Sequence, residues 1–247
     1  MTRTNALETA DAIPHPRGLL RRGMIWVGVS CCTILVFVIA LAVTMPASAL
    51  RTFVNLPPQI STLNGTIWRG GATLQGGYSV QWQTRLGALL LARISADVTL
   101  VGADSQINAS LQASPWTIEL RDLTGRAGPG LLALAPGLPV TGCMSRAVLD
   151  VAQLRFGRGA ASADGTIGID AGNCTDLAGA GIPVPAMTLT LHSIENDAVA
   201  DLSSAGSPLA QLIVTGDRRL LIRVEPAGAV LVPGMPNTGP TIIEYPF

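Results

Sequence analysis

Lysine is absent from the chain, and histidine occurs twice in 247 residues. Arginine alone balances the acidic residues, 16 against 16. From residue 51 onward there are 12 Arg against 14 Asp plus Glu, a net of −2. No basic stripe appears, which excludes the electrostatic footprint of a nucleic-acid binder. His192 is the only imidazole beyond residue 50. A Ser–His–acid triad would have to be built on it, and it lies on the polar phase of Thr190-Leu191-His192-Ser193. No CxxC accompanies it, so a zinc site is disfavoured. Neither Gly70-Gly71 nor Gly76-Gly77 leads into the GKS/T of a phosphate loop. The pairs Asp164 and Asp170, or Asp197 and Asp201, could be imagined as glycosidic carboxylates. They flank turns, however, where Asp bonds its own backbone. No catalytic, cofactor or metal residues are proposed.

Cysteine is sparse as well. Cys31 and Cys32 lie in an apolar run, where a thiol acts as a small hydrophobe. Cys143 and Cys174 are the other two. In an oxidising compartment such a pair reads as a structural disulfide, with two free thiols as the alternative. Aromatic residues make up 4% of the chain. Trp26 is placed at a membrane edge, and Trp68, Trp82 and Trp116 in strands as core anchors, with ligand platforms the rival reading.

Charge is missing altogether from Met24 to Met45, and the chain is organised around that stretch. As a helix its length is about 33 Å, enough for a hydrocarbon core of roughly 30 Å. Ser30, Thr33 and Thr44 can bond back to the helix's own carbonyls. Arg17, Arg21 and Arg22 precede the run and only Arg51 follows closely. The positive-inside rule then keeps the amino end in the cytoplasm and exports the rest. Ala47-Ser48-Ala49 offers a rival reading, a cleaved secretory signal, against which the run is long. The expected organisation is a cytoplasmic tail (1–23), a transmembrane helix (24–45), a juxtamembrane linker (46–62) and an exported β domain (63–247).

Period-2 alternation fills the remainder, as in Ser79-Val80-Gln81-Trp82-Gln83, Ile94 to Leu100 and Met187 to Leu191. It gives each strand one apolar and one polar face. Strands are also expected at Thr66–Arg69, 106–111, 116–120, 147–151, 166–169, 211–214, 220–224 and 241–243, with a short helix at 86–92. The fold class is mainly β, an antiparallel, twisted, sandwich-like sheet behind one amino-terminal helix. An apolar–polar–Gly motif recurs at Gly65, Gly125, Gly142 and Gly216, with Asp164-Gly165 close to it. Gly there suits a bulge or positive φ where one strand hands over to the next. Irregular spacing argues against a solenoid.

Residues 63–93 carry the most specific pattern: Leu63-Asn64-Gly65-Thr66-Ile67-Trp68-Arg69-Gly70-Gly71-Ala72, then Val80-Gln81-Trp82, then Arg85-Leu86 and Leu89-Leu90-Leu91-Ala92-Arg93. This resembles the opening of the exported domain in protein N of the bacterial type II secretion system. Gly87 and Ala92 depart from it, standing where Pro and Gly are common. The resemblance implies a bitopic inner-membrane subunit that is not an enzyme and binds no cofactor, nucleic acid or small-molecule substrate. The implied partners are other secretion subunits: the inner-membrane platform, and the secretin or pseudopilins. Its membrane contact is the lipid around the anchor. The rival from another class is an anchored periplasmic lipid-binding groove, in which the apolar sheet face holds acyl chains.

Overall fold

The computed structural model describes residues 17–49, 58–85, 87, 93–132, 140–176, 179–232 and 234–246. The chain divides into two compact units, residues 1–45 and 46–247. The first is built on one helix, α1 (Arg17–Thr44). Thr33 Oγ1 donates to the Val29 carbonyl at 2.9 Å and Thr44 Oγ1 to Ala40 at 2.8 Å, so both hydroxyls are satisfied within the helix. Its large apolar side chains face outward; Trp26 is 74% exposed and Phe37 62%. The side chains described run unbroken from residue 28 to residue 41, and no described helix is long and apolar enough to cross a membrane. As described, α1 includes Arg17 to Gly23, within the segment expected to be the cytoplasmic tail.

The second unit opens with a 3-10 turn at Ala47–Ala49. Its described strands are β1 (Ile60–Gly65), β2 (Arg69–Leu74), β3 (Ser79–Thr84), β4 (Ile94–Val101), β5 (Gln106–Ser114), β6 (Thr117–Ala127), β7 (Val140–Thr141) and β8 (Ala147–Gly157). They continue as β9 (Ala160–Ile169), β10 (Gly172–Asp176), β11 (Gly181–Val184), β12 (Met187–Ile194), β13 (Asp197–Ser204), β14 (Ser207–Val214), β15 (Arg219–Val224) and β16 (Thr241–Pro246). Two single-turn helices interrupt them, α2 (Pro129–Leu132) and α3 (Pro226–Ala229). Thirteen strands form one antiparallel sheet in chain order, β1 to β6, β8, β9 and β12 to β16; β11, β10 and β7 form a small second sheet. Beyond that small sheet, the described residues supply no second layer of the expected sandwich. The short helix expected at 86–92 lies outside the described residues, save Gly87.

Directly paired residues share a face, so one register row can be followed across every strand of the large sheet. It runs Leu63, Ala72, Val80, Leu100, Ile107, Gly125, Leu149, Ile167, Leu189, Leu202, Ala210, Val224 and Thr241. Polar groups enter it only at Thr241, on the rim. The next row, on the other face, runs Asn64, Gly71, Gln81, Thr99, Asn108, Thr124, Asp150, Thr166, Thr190, Asp201, Gln211, Arg223 and Ile242. At about 4.8 Å between strands, the apolar row extends for roughly 58 Å along the sheet.

Among the described residues, little covers that face. The buried cluster is Val151, Ala163 and Leu191, backed by Leu123, Leu154 and Ile167, in the middle of the sheet. A line of irregularity crosses there: the β5–β6 register slips between Asn108 and Ser110, and the β8–β9 register between Val151 and Gln153. Asp122 (φ 51°) and Ala152 are the extra residues. Bulges of this kind bend and twist strands. Gly125 and Gly165, both at φ +142°, border the line, so two glycines of the recurring motif work inside strands. Gly65 and Gly142, by contrast, end strands at positive φ, as expected of the motif.

The segment Thr66–Arg69, expected as a strand, turns β1 into β2. The Thr66 N–H donates to the Arg69 carbonyl at 2.9 Å, and Trp82 Nε1 to Ile67 at 3.1 Å. Ala47, expected in the linker, is fully buried in the sheet unit.

Candidate functional site: an open apolar face and its rims

The residues inspected for chemistry are scattered. His192 Nδ1 lies 3.6 Å from Asp201 Oδ2 on the polar face, both side chains being about 40% exposed. Asp201 also accepts from Gln211 Nε2 at 2.8 Å. Asp197 accepts the Gly216 N–H at 3.0 Å, a turn-holding role. Asp164 and Asp170 are exposed, and none of the described ion pairs includes either. Trp116, expected as a core anchor, is 57% exposed, with the Arg158 guanidinium 3.9 Å from its ring centroid. Among the described residues no group of three His, Cys, Asp or Glu could hold a metal ion.

A polar cluster does hold the loop that leads into α2. Tyr78, 3% exposed, donates its hydroxyl to Asp104 Oδ1 at 2.5 Å, and the Gly130 N–H donates to Asp104 Oδ2 at 2.9 Å. Ser105 Oγ donates to the same carboxylate at 2.9 Å and accepts the Gly128 N–H at 2.8 Å. The Tyr78 hydroxyl, then the Gly130 amide, hold Asp104 below the usual carboxylate range. Burial foremost, with the Asp104 hydrogen bond second, pushes the Tyr78 phenol up. A depressed carboxylate stabilises the fold above its ordinary pKa and loses that contribution as pH falls through the folded value. Tyr78→Phe is therefore expected to destabilise the protein at neutral pH by about 1–3 kcal/mol. Urea titrations from pH 7 downward check this: the gap from wild type should narrow as the pH falls and Asp104 takes up its proton in the folded state.

Cys143 and Cys174 are joined in a disulfide. Beside it the Met144 N–H donates to the Asn173 carbonyl at 2.9 Å, and Gly172 lets Ser145 approach so closely that a Cβ there would lie 2.5 Å from Ser145 Oγ. The bond ties β10 to the segment between β7 and β8. Two apolar cavities open where the small sheet meets the large one. One, of about 340 Å³, is lined by Leu131, Ala147 and Ile169; the other, of about 270 Å³, by Leu202, Leu209 and Val224. Val184 and Met187 line both. Sequence reasoning missed these cavities, because no local pattern reports which strands leave the main sheet to cover its face.

The rims are β1 and β16. β1 carries no charged residue; β16 carries only Glu244, engaged by Arg219 at 3.1 Å. Ile242, which ends the polar row, is 68% exposed, and Tyr245 is 55% exposed. Rim strands are ordinarily guarded by lysine, proline or inward charge. β1 is packed by the turn Ala47–Ala49, while β16, with one charge and its proline only at the last position, Pro246, suits pairing with a further strand.

No curated protein and no solved structure matches the chain. A family model described as type II secretion system (T2SS), protein N, matches residues 58–227, from just before β1 into α3. The chain belongs to the protein N family of the type II secretion system, and is a component of that machinery that works with its other subunits.

Proposed function

We propose that the chain is a bitopic inner-membrane subunit with a structural role in exporting folded proteins across the outer membrane. α1 anchors it, with the arginine-flanked amino end in the cytoplasm and the sheet in the periplasm. Support for the anchor comes from the uncharged run 24–45 and from hydroxyls bonded within α1. The sheet acts as a positioned template, and its β16 rim accepts a strand from the inner-membrane platform, the secretin or the pseudopilins. The observation that carries this is β16, where Ile242 stands exposed at the end of an otherwise polar row.

A deletion strain complemented with Ile242→Lys tests it. Secretion is expected to fall about tenfold, as for loss of one tightly packed anchor residue at an interface, with protein level and membrane fractionation unchanged. A photo-crosslinking residue at position 242 should give an adduct with another secretion subunit. Normal exoprotein secretion by the deletion strain would overturn the role, and normal secretion by the lysine variant would overturn the rim.

A further inference from the structure

Arginines gather on the polar face where β4, β5, β6 and β8 run side by side. A pocket of about 220 Å³ there is lined by Arg93, Arg121 and Arg155, with Gln112 and Glu119 among them. Gln112, Glu119, Arg155 and Ser162 lie opposite one another in turn across β5, β6, β8 and β9, so they share one face. Arg121, two positions past Glu119 on β6, is on that face as well. Arg155 has Glu119 as its direct cross-strand neighbour, yet that carboxylate is already engaged. Its Oε1 accepts from Arg121 Nε at 2.7 Å and from Gln153 Nε2 at 2.6 Å. Arg93 and Arg155 are exposed, and among the described residues neither guanidinium enters an ion pair. Three guanidiniums against one carboxylate leave a surplus of two positive charges, in a region whose net charge from residue 51 is −2. At the end of the β5–β6 hairpin stands Trp116, next in the chain to Thr117 of the pocket wall. It is 57% exposed, with Arg158 over its ring. Tryptophan and arginine are the side chains that most often dominate binding at protein interfaces.

We propose that this pocket is a second docking surface, which takes an acidic segment of another secretion subunit with a Glu or Asp carboxylate on Arg93 and Arg155. A guanidinium presents a planar fork of donors that a carboxylate meets with two parallel bonds, and such charge-assisted pairs are the strong ones. The volume suits a side chain better than a free metabolite, being below the roughly 300–1,000 Å³ of small-molecule sites. A phospholipid is a poor occupant, because Ala113 alone is apolar in the lining and an acyl chain would stay in water. A nucleic acid is a poor occupant too, since its long run of phosphates would meet an acidic surface beyond these three arginines. An acidic peptide needs only a local patch, and Trp116 gives it an aromatic anchor beside the charges. This surface lies on the face of the sheet, so it needs the chain to work among other secretion subunits but does not need β16 to pair.

The test uses the full chain expressed in the deletion strain, with a photo-crosslinking residue at position 162, opposite Arg155. Irradiation is expected to give an adduct with another secretion subunit, on a peptide that contains Glu or Asp. Arg93→Glu/Arg155→Glu, two surface changes, should lower that yield about tenfold at unchanged protein level. Circular dichroism of the purified variant should show the sheet intact, and the adduct from position 242 should persist. Failure of the rim reading would remove the adduct from 242 and leave that from 162. Replacing the acidic residue of the cross-linked peptide by Arg should restore the yield of Arg155→Glu alone. A yield indifferent to the charge reversal, an adduct on a peptide without Glu or Asp, an adduct with lipid, or no adduct from position 162 would each overturn the proposal.

Discussion

Gly165→Val is expected to destabilise the sheet unit by about 3 kcal/mol or more, the range reserved for strained backbone combined with core disruption. Gly165 sits in β9 at φ +142°, a region that a β-branched residue does not occupy without strain. A Cβ there would lie 2.5 Å from Val151 Cα and 2.7 Å from the Asp150 carbonyl oxygen. Val151 is 1% exposed and belongs to the one buried cluster, so the clash cannot be relieved toward solvent. The bulge would have to open, and the β8–β9 and β9–β12 pairings meet there. Gly168, three residues along the same strand, is the control: it has no atom within 4 Å of a Cβ and no positive φ. Gly168→Ala should stay within about 0.5 kcal/mol of wild type or gain slightly in strand propensity. Urea midpoints of the purified full chain, followed by tryptophan fluorescence, separate the two. A wild-type midpoint for Gly165→Val would refute the view that the bulge line organises this sheet.

The strands with the clearest alternation were legible in the sequence because their faces differ chemically. β3, β4 and β12 alternate large apolar residues with Thr, Gln, Asp or His, and the structure gives each of them that phase. β13 was not legible: Asp197-Ala198-Val199-Ala200-Asp201 breaks the contrast with alanine on the apolar phase. The short strands β10 and β11 were hidden for a different reason, since four or five residues with Gly, Asn and Pro read as turn. Trp68 misled because an aromatic beside Ile67 looks like strand, whereas the turn there is fixed by backbone bonds to Arg69 and Trp82 Nε1. Alternation also says that a face is apolar without saying what lies on it. That is why a sandwich was expected where thirteen of the described strands form one sheet in chain order. The family, by contrast, was legible in residues 63–93, which fall within the matched segment.

Breaking Cys143–Cys174 should cost about 3–4 kcal/mol by the chain-entropy estimate for a cross-link spanning 31 positions. For a chain of this size that corresponds to a melting temperature lower by about 10 °C. The small sheet depends on the bond heavily. β7 is two residues long, β11 four, and three such strands have little apolar area of their own to bury. The loss should therefore be local first. Hydrogen exchange of Cys143→Ser/Cys174→Ser is expected to speed at β10 and β11, while β8 and β9, held by Val151 and Ala163, keep their protection. Wild type under reductant should match the double variant; a double variant as stable as oxidised wild type would refute the estimate. The bond bears on topology too, because disulfides persist in the periplasm and are rare in the cytosol. Thiol alkylation in intact cells, before lysis, should leave Cys143 and Cys174 unmodified if the sheet is exported. If they are alkylated as free thiols, the periplasmic placement of the whole sheet fails.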